Sequence, residues 1–154
     1  MEPMERLPIL LAEDDEDDLF LMRRAAVKAG LANPLHVVRD GEQVLAYLKG
    51  EGVYGDRAQY PFPTVLLLDI KMPGMNGLDV LSAIRRDPRL RRLVVIFLTS
   101  SNQTQDINLA FELQANSYLV KPGDTNGMTN ILQKLKDYWF MMNQYPLCPA
   151  QEAA

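Results

Sequence analysis

Short runs that are wholly or mostly apolar alternate along this chain with longer stretches in which apolar residues recur every three or four positions. The runs lie at residues 7–12, 35–38, 65–68, 93–98 and 117–120. Runs of this length bounded by turn formers predict strands buried on both faces. The periodic stretches at 19–29, 43–49, 77–86, 106–113 and 126–142 predict amphipathic helices, the last carrying Met128, Ile131, Leu132, Leu135, Tyr138, Trp139 and Met142. Gly30 with Pro34, Gly50, and Asp87-Pro88 supply stops. Five strand-helix units in strict alternation imply one α/β domain with a parallel sheet and helices on both faces.

Two stretches fall outside this pattern. Residues 51–63, with Gly52, Gly55, Pro61 and Pro63, read as a surface loop longer than the usual ~4–6 residues. Residues 143–154 read as a C-terminal tail, partly disordered. The domain expected is therefore 7–142.

Composition narrows the function classes. With 154 residues and 47% hydrophobic content there is material for one core. Sixteen basic against twenty acidic residues give a net charge of −4, which argues against a basic nucleic-acid face. The single cysteine, Cys148, offers neither a disulfide framework nor a Cys-x-x-Cys metal pair. No stretch reaches the ~20 apolar residues that span a bilayer, and no secretion signal precedes the first strand. A cytoplasmic protein is expected. The one histidine, His36, sits inside a predicted strand, where packing is its expected role.

Candidate chemistry gathers at the strand ends. The first run stops at Glu13 and Asp14, the third at Asp69, the fourth at Thr99 and the fifth at Lys121. In a doubly wound sheet these groups converge on one crevice. Asp15, Asp17 and Asp18 are expected to cap and favour the first helix turn. Three carboxylates close together repel unless a cation joins them, and oxygen ligands with room for water suit Mg2+. An ionised carboxylate beside such a metal is a phosphoryl acceptor that needs no general base. Asp69 would attack phosphorus while Lys121 pairs with one phosphoryl oxygen and Thr99 donates to another.

With these residues in place, the chain resembles the receiver domain of bacterial two-component response regulators. The resemblance rests on Glu13-Asp14, Asp69, Thr99-Ser100 and Lys121-Pro122, together with the loop from Asp69 through Pro73 to Gly77. It implies a flavodoxin-like (βα)5 fold with strand order 2-1-3-4-5, and phosphorylation of Asp69 by a sensor histidine kinase or a phosphotransfer protein. It also implies Mg2+ held by Asp14, Asp69 and the backbone carbonyl of Lys71, with Glu13 assisting. Thr99 and Tyr118 match the residues through which the family switches the face made by its fourth helix, fifth strand and fifth helix. Pro122 is a candidate cis proline.

After the receiver only the tail remains, so the expected output is a binding event rather than an attached effector domain. The long loop and the aromatic end Tyr138-Trp139-Phe140 resemble the small regulators that partner phytochrome-type kinases. Phe140, Met141, Met142 and Tyr145 form a surplus apolar patch expected to support a homodimer. Neither nucleic acid nor a membrane is expected as a partner. Two rival readings stay open. A haloacid-dehalogenase-type phosphatase also uses a strand-end Asp with Mg2+, but its general acid two residues on is Lys71 here. A receiver-like module that is never phosphorylated is the other.

Overall fold

The computed structural model describes residues 7–152. Five parallel strands, β1 (Ile9–Ala12), β2 (Leu35–Val38), β3 (Val65–Leu68), β4 (Val94–Thr99) and β5 (Ser117–Val120), form one sheet in the order β2-β1-β3-β4-β5. The helices are α1 (Glu16–Lys28), α2 (Gly41–Lys49), α3 (Gly77–Arg86), α4 (Thr104–Glu112), α5 (Thr125–Leu135) and a short α6 (Pro149–Glu152). The architecture and strand order are those expected from the sequence.

The apolar runs divide by alternation between two cores. Leu10, Leu66, Leu68, Val95 and Phe97 face α2 and α3, where Val44, Tyr47, Val80, Leu81 and Ile84 pack on them. Ile9, Leu11, Val65, Leu67, Ile96 and Leu98 face α1 and α5, meeting Leu19, Met22, Ala25, Met128, Leu132 and Leu135. Adjacent residues on a strand point to opposite faces, so a run must be apolar throughout when both faces are covered. Each such side chain is worth about 1.5–3 kcal/mol on burial.

The residues 51–63 are an ordered element. Gly52–Gly55 make a 3-10 turn, and Tyr54 packs tilted and Tyr60 edge-on against Tyr47, at ring distances of 5.0 and 6.0 Å. Arg57 donates to the carbonyls of Tyr47 (2.8 Å), Leu48 (2.9 Å) and Tyr60 (3.2 Å), tying the loop to the last turn of α2. Helix ends leave such carbonyls without intrahelical partners, and a guanidinium fork satisfies two at once. His36 lies half-buried at the sheet edge, 6.2 Å from the Tyr47 ring, and burial lowers its pKa.

The last helix departs from its expected course. Regular α-helix ends at Leu135, and Lys136–Phe140 form a π-turn. A π-turn inserts about one extra residue and rotates the chain beyond it. Phe140 consequently occupies the core, while Tyr138 and Met142 point outward. A helix of regular pitch would have placed Met142 on the inward face.

The stretch after it, read from the sequence as a partly disordered tail, makes specific contacts up to residue 151. Cys148 and Ala150 are buried beside Leu90 and Leu93. The Ala150 amide donates to the Arg89 carbonyl (3.2 Å), Arg92 donates to the Leu147 carbonyl (3.0 Å), and the Tyr145 hydroxyl donates to the Trp139 carbonyl. Residues 153 and 154 of the expected tail lie outside the described residues.

Candidate phosphoryl and metal site

Strand register brings the candidate residues level. Ala12 pairs with Leu68 on one side and Val38 on the other, so Glu13 and Asp69 leave the sheet together. Their amides continue the ladder, Glu13 to the Val38 carbonyl (3.0 Å) and Asp69 to the Ala12 carbonyl (3.3 Å). Thr99 pairs with Val120, and the Lys121 amide donates back to the Thr99 carbonyl (2.8 Å). The four strand ends thereby meet at the carboxyl edge, where open α/β sheets bind ligands.

Lys121 is the hub. Its Nζ donates to Asp69 Oδ2 (2.8 Å), to Asp18 Oδ2 (2.9 Å) and to Glu13 Oε1. Its side chain is 6% exposed, against 7% for Asp69 and 4% for Glu13. Burial by itself would push the ammonium toward deprotonation. The bonds to Asp69, Glu13 and Asp18 outweigh that and raise its pKa above the usual lysine range. Glu13 moves the other way from an ordinary surface carboxylate. Burial pushes it up to about 7 against the pull of Lys121, and the Asp69 charge adds to the rise.

Asp69 has one oxygen engaged and one free. Oδ2 accepts from Lys121, whereas Oδ1 is buried without a hydrogen-bond partner. A buried carboxylate oxygen left this way is costly unless a cation or reacting group completes it. Glu13, Asp14 and Asp69 each offer an oxygen within 4.8 Å of the others. The orphaned Oδ1 and this all-oxygen set fit a hard divalent cation such as Mg2+. Asp14 is exposed, which leaves an open side for water or a phosphoryl donor.

The loop after Asp69 folds back through the Gly77 amide, which donates to the Ile70 carbonyl (2.8 Å). Lys71 is exposed on this loop, two residues beyond Asp69. Among the described residues no peptide bond is cis. The Lys121–Pro122 bond, a cis candidate by sequence, is therefore trans. With this bond trans, Lys121 reaches Glu13, Asp18 and Asp69.

A second group of contacts leads away from the site. Thr99 is fully buried, and its Oγ1 accepts from the Ser101 amide (3.4 Å). Ser101 Oγ donates to Asp106 Oδ2 (2.5 Å), and its carbonyl accepts from the Tyr118 hydroxyl (2.9 Å). Tyr118 is half-buried against Phe97, at 5.8 Å between rings. Burial raises its phenol pKa.

Sequence reasoning named Glu13, Asp14, Asp69, Thr99, Lys121 and Tyr118, and missed Ser101, Asp106 and the role of Asp18. The acids from Asp15 to Asp18 looked alike in the sequence. Their partners differ: Asp15 caps α1 by accepting from the Asp18 amide (3.0 Å), Glu16 pairs with Arg39, and Asp18 meets Lys121.

Comparison with known proteins gives a consistent picture. The sequence pattern described as response regulator receiver domain matches residues 9–133. The chain is 36% identical over 139 residues to the probable methanogenesis regulatory protein FilR2 of Methanothrix harundinacea, covering 90% of this chain and 86% of FilR2. It is 31% identical over 131 residues to the response regulator Rcp1 of Synechocystis, covering 85% and 87%. The Mn2+-bound form of Rcp1 superposes with TM-score 0.80 at 30% identity, covering 91% and 99%. The phosphorylated cyanobacterial phytochrome response regulator RcpA superposes with TM-score 0.83 at 30% identity, covering 92% and 99%. The bacteriophytochrome response regulator RtBRR does so with TM-score 0.72 at 40% identity, covering 97% and 88%.

Proposed function

This chain belongs to the response regulator receiver family, and from that premise we propose that it carries its phosphoryl group on Asp69, supplied by a sensor histidine kinase of the phytochrome type or by a phosphotransfer protein. The observation that carries this reading is the pairing at Asp69: one oxygen held by Lys121, the other buried and open.

An Asp69 oxygen attacks phosphorus of the donor phosphohistidine. The phosphorus–nitrogen bond breaks as the phosphorus–oxygen bond forms, and the imidazole leaves with the electron pair. Lys121 is placed to neutralise charge on the phosphoryl oxygens, and Thr99 to donate a hydrogen bond from its hydroxyl. Glu13, Asp14 and Asp69, with the Lys71 carbonyl, would hold Mg2+, which when bound offsets the charge carried by the carboxylates and the incoming phosphoryl group.

The same residues support a switch. A Thr99 hydroxyl drawn toward the phosphoryl group gives up its contact with the Ser101 amide, and the Ser101 carbonyl is where Tyr118 is tethered. Release of Tyr118 would remodel the surface of α4, β5 and α5, which a partner reads by preferring one state.

The phosphatase alternative is not favoured, because Lys71 stands where that class needs an acid. On this reading the protein stores a phosphoryl group and does not turn it over rapidly. No helix among the described residues is long and apolar enough to cross a membrane, and a cytoplasmic setting fits a kinase partner of this kind. Self-association would use a different set of residues from the one the sequence suggested. Phe140 is in the core and Tyr145 is half-buried, leaving Tyr138, Met141, Met142 and Leu147 exposed. Analytical ultracentrifugation with and without phosphorylation tests it, a monomer in both states counting against a dimer. Phosphotransfer from an autophosphorylated phytochrome-type kinase to wild type but not to Asp69→Asn tests the function. Equal labelling of both would reject the assignment of Asp69.

A further inference from the structure

We propose that Asp18 is a positioning residue for the phosphoryl chemistry, fixing the Lys121 ammonium at the site while the other two partners of that ammonium are drawn into the reaction; the proposal rests on the reading of Asp69 as phosphoacceptor. An ammonium has three donors. Here each has a carboxylate: Glu13, Asp18 and Asp69.

The three partners are not equivalent. Asp69 becomes an acyl phosphate and loses its charge at the bonded oxygen. Glu13 belongs to the acidic group that can hold a metal ion. Asp18 stands outside that group, so its contact with Lys121 is the one that neither metal binding nor phosphorylation consumes.

The local geometry of α1 supports a dedicated role. Asp18 is the third residue of the helix, where an acid commonly turns back to the cap residue. Asp79 does so in the equivalent position of α3, accepting from the Asn76 amide (3.3 Å). The Asp18 carboxylate instead crosses to Lys121 at 2.9 Å, and only its backbone amide serves the cap, by donating to Asp15. Lys121 is thus fixed at two ends, through its amide to Thr99 and through its ammonium to a half-exposed acid at the rim.

The test compares wild type, Asp18→Ala and Asp18→Asn with acetyl phosphate as donor and Mg2+ saturating. Misplacing a catalytic group by ~1 Å can cost about 100-fold, and a loosened ammonium short of that predicts a rate roughly 10-fold lower in Asp18→Ala. The acetyl phosphate concentration for half-maximal rate stays the same. Asp18→Asn, which keeps an acceptor oxygen, recovers most of the loss. A separate readout needs neither donor nor metal: the 15N-labelled Lys121 ammonium, protected from exchange in wild type at low temperature, loses its signal in Asp18→Ala.

Equal rates and an unchanged ammonium signal in Asp18→Ala would overturn the proposal. So would an Asp18→Asn protein as slow as Asp18→Ala, which would assign the effect to charge alone. A rate loss accompanied by a lowered melting temperature and a retained ammonium signal would mark Asp18 as a helix-stabilising acid and overturn it too. A wild type that accepts no phosphoryl group would refute the Asp69 reading itself, and the proposal with it.

Discussion

A β-carbon at Gly77 would lie 2.1 Å from the carbonyl oxygen of Asp69. No real contact is that short, so the first residue of α3 must be glycine for the backbone of Asp69 to stay where it is. Gly77→Ala should push the Asp69 loop off α3. The expected cost is about 1–3 kcal/mol, as for other overpacked sites, read by urea denaturation. The variant should also lose phosphorylation, because the nucleophile moves relative to Lys121. Wild-type stability together with wild-type labelling would show that the loop relaxes freely.

Glu13 gives the fold an uncommon pH dependence. Its pKa is raised from 4.5 in the unfolded chain to about 7 in the folded one. Between those values the native state holds the extra proton, so this group makes stability fall as pH rises from 4.5 toward 7. Glu13→Gln should remove that slope while leaving other contributions in place. The comparison of melting temperatures across this range, without metal, checks the sign. Mg2+, which needs ionised carboxylates, should raise the wild-type melting temperature more at about pH 7.5 than at about pH 5. A larger Mg2+ effect on the acid side would contradict the assignment.

Arg57 holds the 51–63 loop through backbone carbonyls at the end of α2. Arg57→Ala takes this donor from the Leu48 carbonyl, while the Tyr47 carbonyl keeps the Gly50 amide (3.1 Å), and should cost about 1–3 kcal/mol. Arg57→Lys should recover less than half, since a lysine cannot fork to two carbonyls and lies less well over the Tyr47 and Phe62 rings. Chemical denaturation of the three proteins distinguishes these outcomes. The phosphorylation rate should not change, because the loop lies outside the site.

Much of the architecture was legible because the decisive signals are local. The runs at Val65 to Leu68 and Val94 to Leu98 are apolar at every position, which only a doubly covered strand requires. Strand ends with Glu13, Asp69, Thr99 and Lys121 pointed to one crevice, since parallel strands deliver their last residues to the same edge. The features that were not legible depend on choices between similar partners. The acids at the N-cap and in the first turn of α1 have nearly the same local chemistry, and distant partners separate them: Arg39 for Glu16, and for Asp18 Lys121, 103 residues along the chain. The π-turn at Lys136–Phe140 has no sequence marker, as the apolar spacing Leu135, Tyr138, Trp139, Met142 runs through it unbroken. The burial of Cys148 and Ala150 was hidden for a related reason. A cysteine and an alanine among prolines carry little apolar weight, yet both fit a gap beside Leu90 and Leu93.

Intact mass after incubation with acetyl phosphate and Mg2+ tests most directly whether Asp69 is the phosphoacceptor. One added phosphoryl group is expected on wild type, removed by hydroxylamine as an acyl phosphate must be, and none on Asp69→Asn. An unmodified wild type, or an Asp69→Asn protein that gains the same hydroxylamine-sensitive group, would contradict it.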